Sequence, residues 1–142
     1  MPRRSLRSGL RIRGHRGHPA VRAAFLRYAS WLRTEIEFPL RVPVYLLPGK
    51  RVRTVDGQFA SASIFLPWSR GVEPYIRVAT GDYDELRRAR GRDNALAAYL
   101  SSLSHEVVHY RQWLETGRSW EQGVITKAKR LVERYAQTVD HP

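Results

Sequence analysis

A His-Glu-x-x-His pentapeptide at residues 105–109, His-Glu-Val-Val-His, constrains this chain more than any other feature. Side chains four residues apart on a helix project from the same face, so His105 and His109 can bind one zinc ion. Glu106 is then placed to act as general base on the metal-bound water. The competing interpretation is a histidine pair of the core or the surface that flanks a glutamate by chance. The spacing favours the metal site.

The residues around the motif predict the helix that this spacing requires. Apolar residues recur every three or four positions and form one stripe, and His105 and His109 lie off that stripe. Asp93 is a candidate N-cap and Gly117 a candidate C-terminal stop, so we predict a helix from about residue 93 to residue 115. The stripe consists of Leu96, Leu100, Leu103, Val107, Tyr110 and Leu114.

Length and composition indicate one domain without a membrane span. The chain has 142 residues and no cysteine, so the only metal ligands it can offer are histidine and carboxylate side chains. No apolar run approaches the roughly 18 residues that a spanning helix needs. Residues 1–18 are basic and lack the apolar stretch of a secretory signal. We therefore predict a flexible basic arm over 1–18, one domain over 19–142 and a cytoplasmic location.

The formal net charge of +12 suits an acidic partner such as nucleic acid. Outside the N-terminal arm, however, the arginines are spread through every segment and are not interleaved with aromatic residues as in a stacking platform. Binding of nucleic acid through the basic arm is therefore an alternative that we do not favour.

Hydrophobic periodicity predicts an N-terminal helix, three strands, the motif helix and a last helix. Ser119 and Gln122 have the spacing of a capping box at the start of the last helix. This order predicts an α+β fold in which a small three-stranded sheet packs on helices. The predicted elements besides the motif helix are a helix over 19–35, strands over 40–47, 58–66 and 75–80, a short helix within 81–92, and a last helix from 119 to about 139.

A catalytic zinc ion usually has three protein ligands and one open position. Glu115 would point away from the metal, because Gln112 stands where a glycine would be needed to break the helix. Glu121 is explained as an acid in the first turn of the last helix. Glu133 lies off the apolar stripe of that helix, and an antiparallel return could bring it to the histidines, although strictly antiparallel helices would carry it past them. The candidates downstream of the motif are Glu115, Glu121, Glu133, Asp140 and His141.

Two segments resemble the gluzincins, thermolysin-like zinc peptidases, and most closely the soluble minigluzincins. They are SLSHEVVHYRQW (102–113) and LVERYAQ (131–137). Over residues 19–140 the resemblance implies a zincin-like fold with an N-terminal helix, a small three-stranded sheet, an active-site helix and a C-terminal glutamate helix. It implies that Glu133 is the third ligand. Many gluzincins carry, four residues after this glutamate, an aspartate that orients a ligand histidine, and Gln137 occupies that position here.

The resemblance also implies that an edge strand beside the cleft binds extended substrate by β-augmentation. The best candidate includes Phe59, Ala60, Ser61 and Ala62, because its small side chains would let another backbone approach.

The expected function is that of a small zinc metalloendopeptidase, with Zn²⁺ as cofactor and a peptide or protein as substrate. One alternative is a DNA-associated protease of the Spartan-like or phage type that the basic arm brings to nucleic acid. The other is a basic binding module whose metal site is structural or vestigial.

Overall fold

The computed structural model describes residues 8–138, and these residues form an α+β fold, as predicted. Within them, no helix is both long enough and apolar enough to cross a membrane. The helices are α1 (Pro19–Glu35), α2 (Tyr83–Arg90), α3 (Arg92–Thr116) and α4 (Val124–Ala136). The strands are β1 (Leu10–Gly14), β2 (Val42–Leu47), β3 (Val52–Arg53), β4 (Phe59–Ala60), β5 (Ala62–Phe65) and β6 (Tyr75–Ala79).

Four of the strands form one mixed sheet with the order β1-β2-β6-β5. β2 pairs in parallel with β1 on one side and with β6 on the other, whereas β5 runs antiparallel to β6. β3 and β4 form a separate antiparallel pair. The strand predicted over 58–66 is therefore two strands interrupted at Ser61, and the second of them, β5, is an edge of the main sheet.

The prediction of a flexible arm over residues 1–18 is wrong for β1. Leu10 is fully buried, and the strand pairs in register with β2. Gly14 has a φ of +94°, and a Cβ there would lie 2.5 Å from the carbonyl oxygen of Leu46, so only glycine fits. In β1 the buried Leu10 and half-buried Ile12 alternate with exposed arginines, a period-two pattern that the basic composition concealed. This strand turns the predicted three-stranded sheet into a four-stranded one.

The motif helix α3 packs against α1, the mixed sheet and α4, and contributes much of the core. Its predicted C-terminal stop is confirmed, since Gly117 follows the helix with a φ of +76°. Its predicted N-cap is wrong, because Gly91 holds that position and Asp93 lies inside the first turn. Leu114 of the predicted apolar stripe is half-buried, and the other five members are buried. These five are Leu96, Leu100, Leu103, Val107 and Tyr110.

The last helix begins later than predicted. Gly123, with a φ of +81°, is the N-cap of α4, and no side chain caps the helix. The Ser119–Gln122 capping box is therefore wrong, and residues 117–123 form an irregular connection between α3 and α4. α4 turns its buried residues, among them Val124, Leu131 and Tyr135, towards the core, where α3 is its main helical neighbour.

Candidate metal centre

The two histidines of the motif lie one turn apart on α3, as the spacing predicts, and their ring centroids are 5.0 Å apart. His109 is buried and His105 is half-buried. Burial is the main cause that lowers the pKa of His105, and the neighbouring His109 lowers it further, against the opposing effect of Glu121. A neutral ring is the form of histidine that binds a metal ion.

Glu121 brings a carboxylate to both rings. Its Oε2 lies 3.2 Å from His105 Nε2, and its Oε1 lies 2.9 Å from His109 Nε2. One ligand atom from each of these three residues lies within 4.8 Å of the others, and within residues 8–138 no other group of His, Asp and Glu side chains meets this condition. Two imidazole nitrogens and one carboxylate oxygen are the ligand set of a typical catalytic zinc site.

Gln112 holds two parts of this site together. Its side chain is buried, and its Oε1 accepts a hydrogen bond of 3.0 Å from the backbone N–H of Trp120, the residue before Glu121. The same oxygen lies 3.1 Å from His109 Nδ1. One amide oxygen therefore orients a ligand ring and anchors the connection that carries the carboxylate.

These contacts determine which nitrogen of His109 carries its proton. A backbone N–H can only donate, so the Gln112 atom facing Trp120 is the carbonyl oxygen rather than the amide nitrogen. His109 Nδ1 must then donate to that oxygen, which leaves the lone pair of a neutral ring on Nε2. This lone pair faces a Glu121 carboxylate oxygen at 2.9 Å. In this tautomer the Nε2 lone pair and the Glu121 carboxylate oxygen face each other, which is the orientation in which both atoms could bind one metal ion.

Glu106 lies on α3 beside His105 and is only 6% exposed. Burial, and secondarily the negative charge of Glu121, raise the pKa of Glu106 from its ordinary value of 4.5 to about 7. A carboxylate that titrates near neutrality is suited to take a proton and return it. Such a displaced pKa beside a cleft is also typical of functional sites.

A cleft of about 330 Å³ opens beside His105 and Glu106. Its opposite wall contains Ala60, Ser61 and Ala62, three of the four residues predicted for the substrate-binding strand. The fourth, Phe59, has a largely exposed side chain. Three residues from the first two turns of α4 also line the cleft: Ile125, Ala128 and Lys129.

The expectation that Glu133 completes the metal site is not met in this arrangement. Glu133 is exposed on α4 and is not part of the group formed by the two histidines and Glu121. Glu121 meets the histidines from the connection before α4, whereas Glu133 lies near the C-terminal end of that helix. Gln137, predicted to orient a ligand histidine, is exposed at the C-terminal end of α4, and Gln112 contacts His109 instead. The alternative ligand His141 and the candidate Asp140 lie outside the described residues.

In the sequence Glu121 is explained as an acid in the first turn of the last helix rather than as a metal ligand. Gln112 is significant there only because it stands where a glycine would be needed to break the motif helix. Two signals could have found them. Gly117 and Gly123 bracket a short segment and favour a connection rather than a helix there, which frees Glu121 to fold back on the end of α3. Gln112 lies three residues after His109, a spacing at which helical side chains are neighbours.

Comparisons with known proteins give no support from relatives. No model of a known protein family matches the chain. Searches of curated proteins and of solved structures likewise find no match. The functional argument therefore depends on the geometry of the site.

Proposed function

We propose that this protein is a small zinc-dependent metallopeptidase with a zincin-like arrangement of its active-site helix, as the resemblance to the gluzincins suggests. The observation that carries the proposal is the convergence of His105, His109 and Glu121 beside a buried glutamate whose pKa lies near neutrality. Of these residues, His105 and Glu106 also line a cleft that Ala60, Ser61 and Ala62 border.

The proposed metal ligands are His105 Nε2, His109 Nε2 and one carboxylate oxygen of Glu121. Two imidazoles and one carboxylate suit Zn²⁺ and also Fe²⁺. We choose Zn²⁺ because the two histidines belong to a His-Glu-x-x-His helix in which Glu106 is placed as the general base. When bound, zinc would supply Lewis acidity that polarises the scissile carbonyl and lowers the pKa of water.

Glu106 acts as the proton carrier in this proposal. Its carboxylate takes a proton from the attacking water and then passes it to the amine that leaves. In the metal-free protein burial raises the pKa of Glu106, which favours uptake of a proton, and the positive charge of a bound zinc ion would favour its release. Gln112 keeps His109 in one tautomer through its Oε1, so the ring does not have to reorient during the reaction.

An extended peptide is the substrate that fits the wall of the cleft. β5 is the last strand of the mixed sheet, so its outer edge can pair with an added strand. Ala60 and Ala62 present methyl groups beside the catalytic residues, which lets a substrate backbone approach closely. This arrangement supports the predicted edge strand. Its pairing with β6 begins at Ser61, whose carbonyl oxygen accepts a hydrogen bond from the backbone N–H of Ala79.

The proposal is tested first by metal content. We expect purified protein to hold about one Zn²⁺ per chain by elemental analysis, because the three ligands form one site. Protein that lacks zinc after purification without chelators, and that takes up none on titration, would contradict the proposal.

Glu106→Gln tests the peptidase activity itself. This variant should retain zinc and fold but lose cleavage of an unstructured protein substrate, because the amide cannot carry the proton. Glu115→Gln is the matched control, since it makes the same change at an exposed position of the same helix. Equal cleavage by both variants would exclude Glu106 as the base. Zinc uptake by a wild-type protein that cleaves no peptide would favour the alternative of a structural site in a binding module.

A further inference from the structure

A second cavity, of about 340 Å³, lies between α3 and α4 and has no role in the proposed peptidase chemistry. Cationic side chains dominate its lining: Arg111 on α3 and Lys127, Arg130 and Arg134 on α4. Glu115 is the acidic residue among those that line it. The cavity is therefore a positively charged recess in the surface.

Three of these cations are not neutralised by neighbours. Arg134 forms an ion pair with Glu35, but no ion pair within residues 8–138 involves Arg111, Lys127 or Arg130. Cations that converge without carboxylate partners repel one another, and an oxyanion placed among them relieves that repulsion.

The buried amide of Gln112 supplies a second, independent indication. Gln112 is 5% exposed and lines this cavity. Its Oε1 is used by His109 and Trp120, but its Nε2 is buried without a hydrogen-bond partner among the described residues. An orphaned buried donor is costly, and the described residues supply no acceptor for it.

The remaining walls are apolar and aromatic. Trp120 borders the cavity with a side chain that is 45% exposed, and Leu131 and Val108 add apolar surface. An indole ring beside free cations suits a ligand that carries both a flat apolar part and an anionic group.

We propose that this cavity binds the phosphate of a nucleotide, with Lys127, Arg130 and Arg111 around the phosphate oxygens and the base against Trp120. The nucleotide can be free or part of a single strand, since both present the same phosphate and base. This site adjoins the metal centre through Gln112 and Trp120 but contains none of the proposed metal ligands, so it goes beyond the proposed peptidase function.

The experiment is calorimetric titration of the full-length protein with and without added zinc, using three probes: inorganic phosphate, thymidine 5′-monophosphate and a short single-stranded oligothymidylate. We expect the nucleotide to bind more tightly than inorganic phosphate because only the nucleotide contacts Trp120. Tighter binding of the oligonucleotide than of the mononucleotide would identify a strand as the source, and equal affinity would identify the free nucleotide. Affinity should fall as salt rises.

A pair of matched variants locates the binding. Lys127→Gln combined with Arg130→Gln should weaken nucleotide binding by at least about tenfold, since charge-assisted hydrogen bonds are lost. Lys129→Gln removes a charge from the same helix outside this cavity and should leave the affinity unchanged within about twofold. Thermal unfolding confirms that all variants fold.

The proposal is overturned if millimolar nucleotide does not bind, or if the double variant binds as tightly as the wild type. It is also overturned if Lys129→Gln and the double variant weaken binding equally, because a diffuse effect of net charge would then explain the binding. None of these measurements uses peptidase activity, so their failure leaves the proposed function untouched.

Discussion

Replacement of Glu121 by alanine should remove the proposed third metal ligand while leaving the fold intact. The carboxylate faces the Nε2 atoms of both His105 and His109, at 3.2 and 2.9 Å. Its side chain is otherwise 76% exposed and lies in an irregular connection. The free energy of unfolding of the metal-free variant should therefore differ from that of the metal-free wild type by no more than about 0.5 kcal/mol, as is usual for a surface substitution.

The expected loss of zinc affinity follows from the ligand set. Residues that only orient a ligand typically cost about 10–100-fold in metal affinity when they are replaced, so removal of a ligand should cost about 100-fold or more. A factor of about 100 corresponds to about 2.7 kcal/mol at 25 °C. With zinc above its dissociation constant for both proteins, the zinc-induced rise in Tm should be smaller in the variant by about 5–10 °C for a chain of this size.

Two assays measure these quantities. Competition with a chromogenic chelator gives the zinc affinity, and thermal unfolding with and without zinc gives the stabilisation. Glu133→Ala is the matched control, because it removes an exposed carboxylate from α4, at the position that the family resemblance favours as ligand. This control should bind zinc as the wild type does.

The opposite pattern would refute the reasoning. If Glu133→Ala loses zinc and Glu121→Ala retains it, α4 must shift when the metal binds, and the contacts of Glu121 do not represent the metal-bound arrangement. If neither variant loses zinc, His141 is the next residue to replace.

Three further results are expected. Gln112→Leu should weaken zinc binding about 10–100-fold. Gln112→Glu keeps an acceptor for His109 Nδ1 and should retain most of the zinc affinity. Equal losses of affinity in chelator competition would contradict the orienting role of Gln112. Burial holds the pKa of Glu106 at about 7 in the folded metal-free protein against an ordinary 4.5. The folded state therefore binds more protons, so stability should decrease as pH rises between these values, and Glu106→Gln should reduce that slope in denaturant titrations. Leu10→Ala should destabilise the protein by about 2–5 kcal/mol, because Leu10 is fully buried. Arg11→Ala, at the exposed neighbouring position, should leave the stability almost unchanged. Equal Tm values for the two variants would contradict the burial of β1.

The spacing of His105, Glu106 and His109 was sufficient to predict a helix with two histidines on one face. Helical geometry is local, so residues four apart meet whatever the rest of the chain does. Gly117 was recognised as the end of α3 for the same kind of reason, because a left-handed residue after a helix strongly favours glycine. The α+β class also followed from local periodicities.

The remaining features depended on contacts between distant segments. β1 is held by parallel pairing with β2, and no local pattern distinguished its alternation from that of a basic tail. The carboxylate that meets the histidines depended on how residues 117–123 fold back on α3. Glu121 was assigned to the first turn of the last helix, whereas the structure places it in the connection before α4. Gln112 acquires its role only when Trp120 and His109 meet at its oxygen. Sequence alone determined which side chains on α3 can bind a metal, because one helix turn relates them. Only the tertiary structure decided which carboxylate lies beside the two histidines, because that depends on how the connection after α3 folds back on that helix.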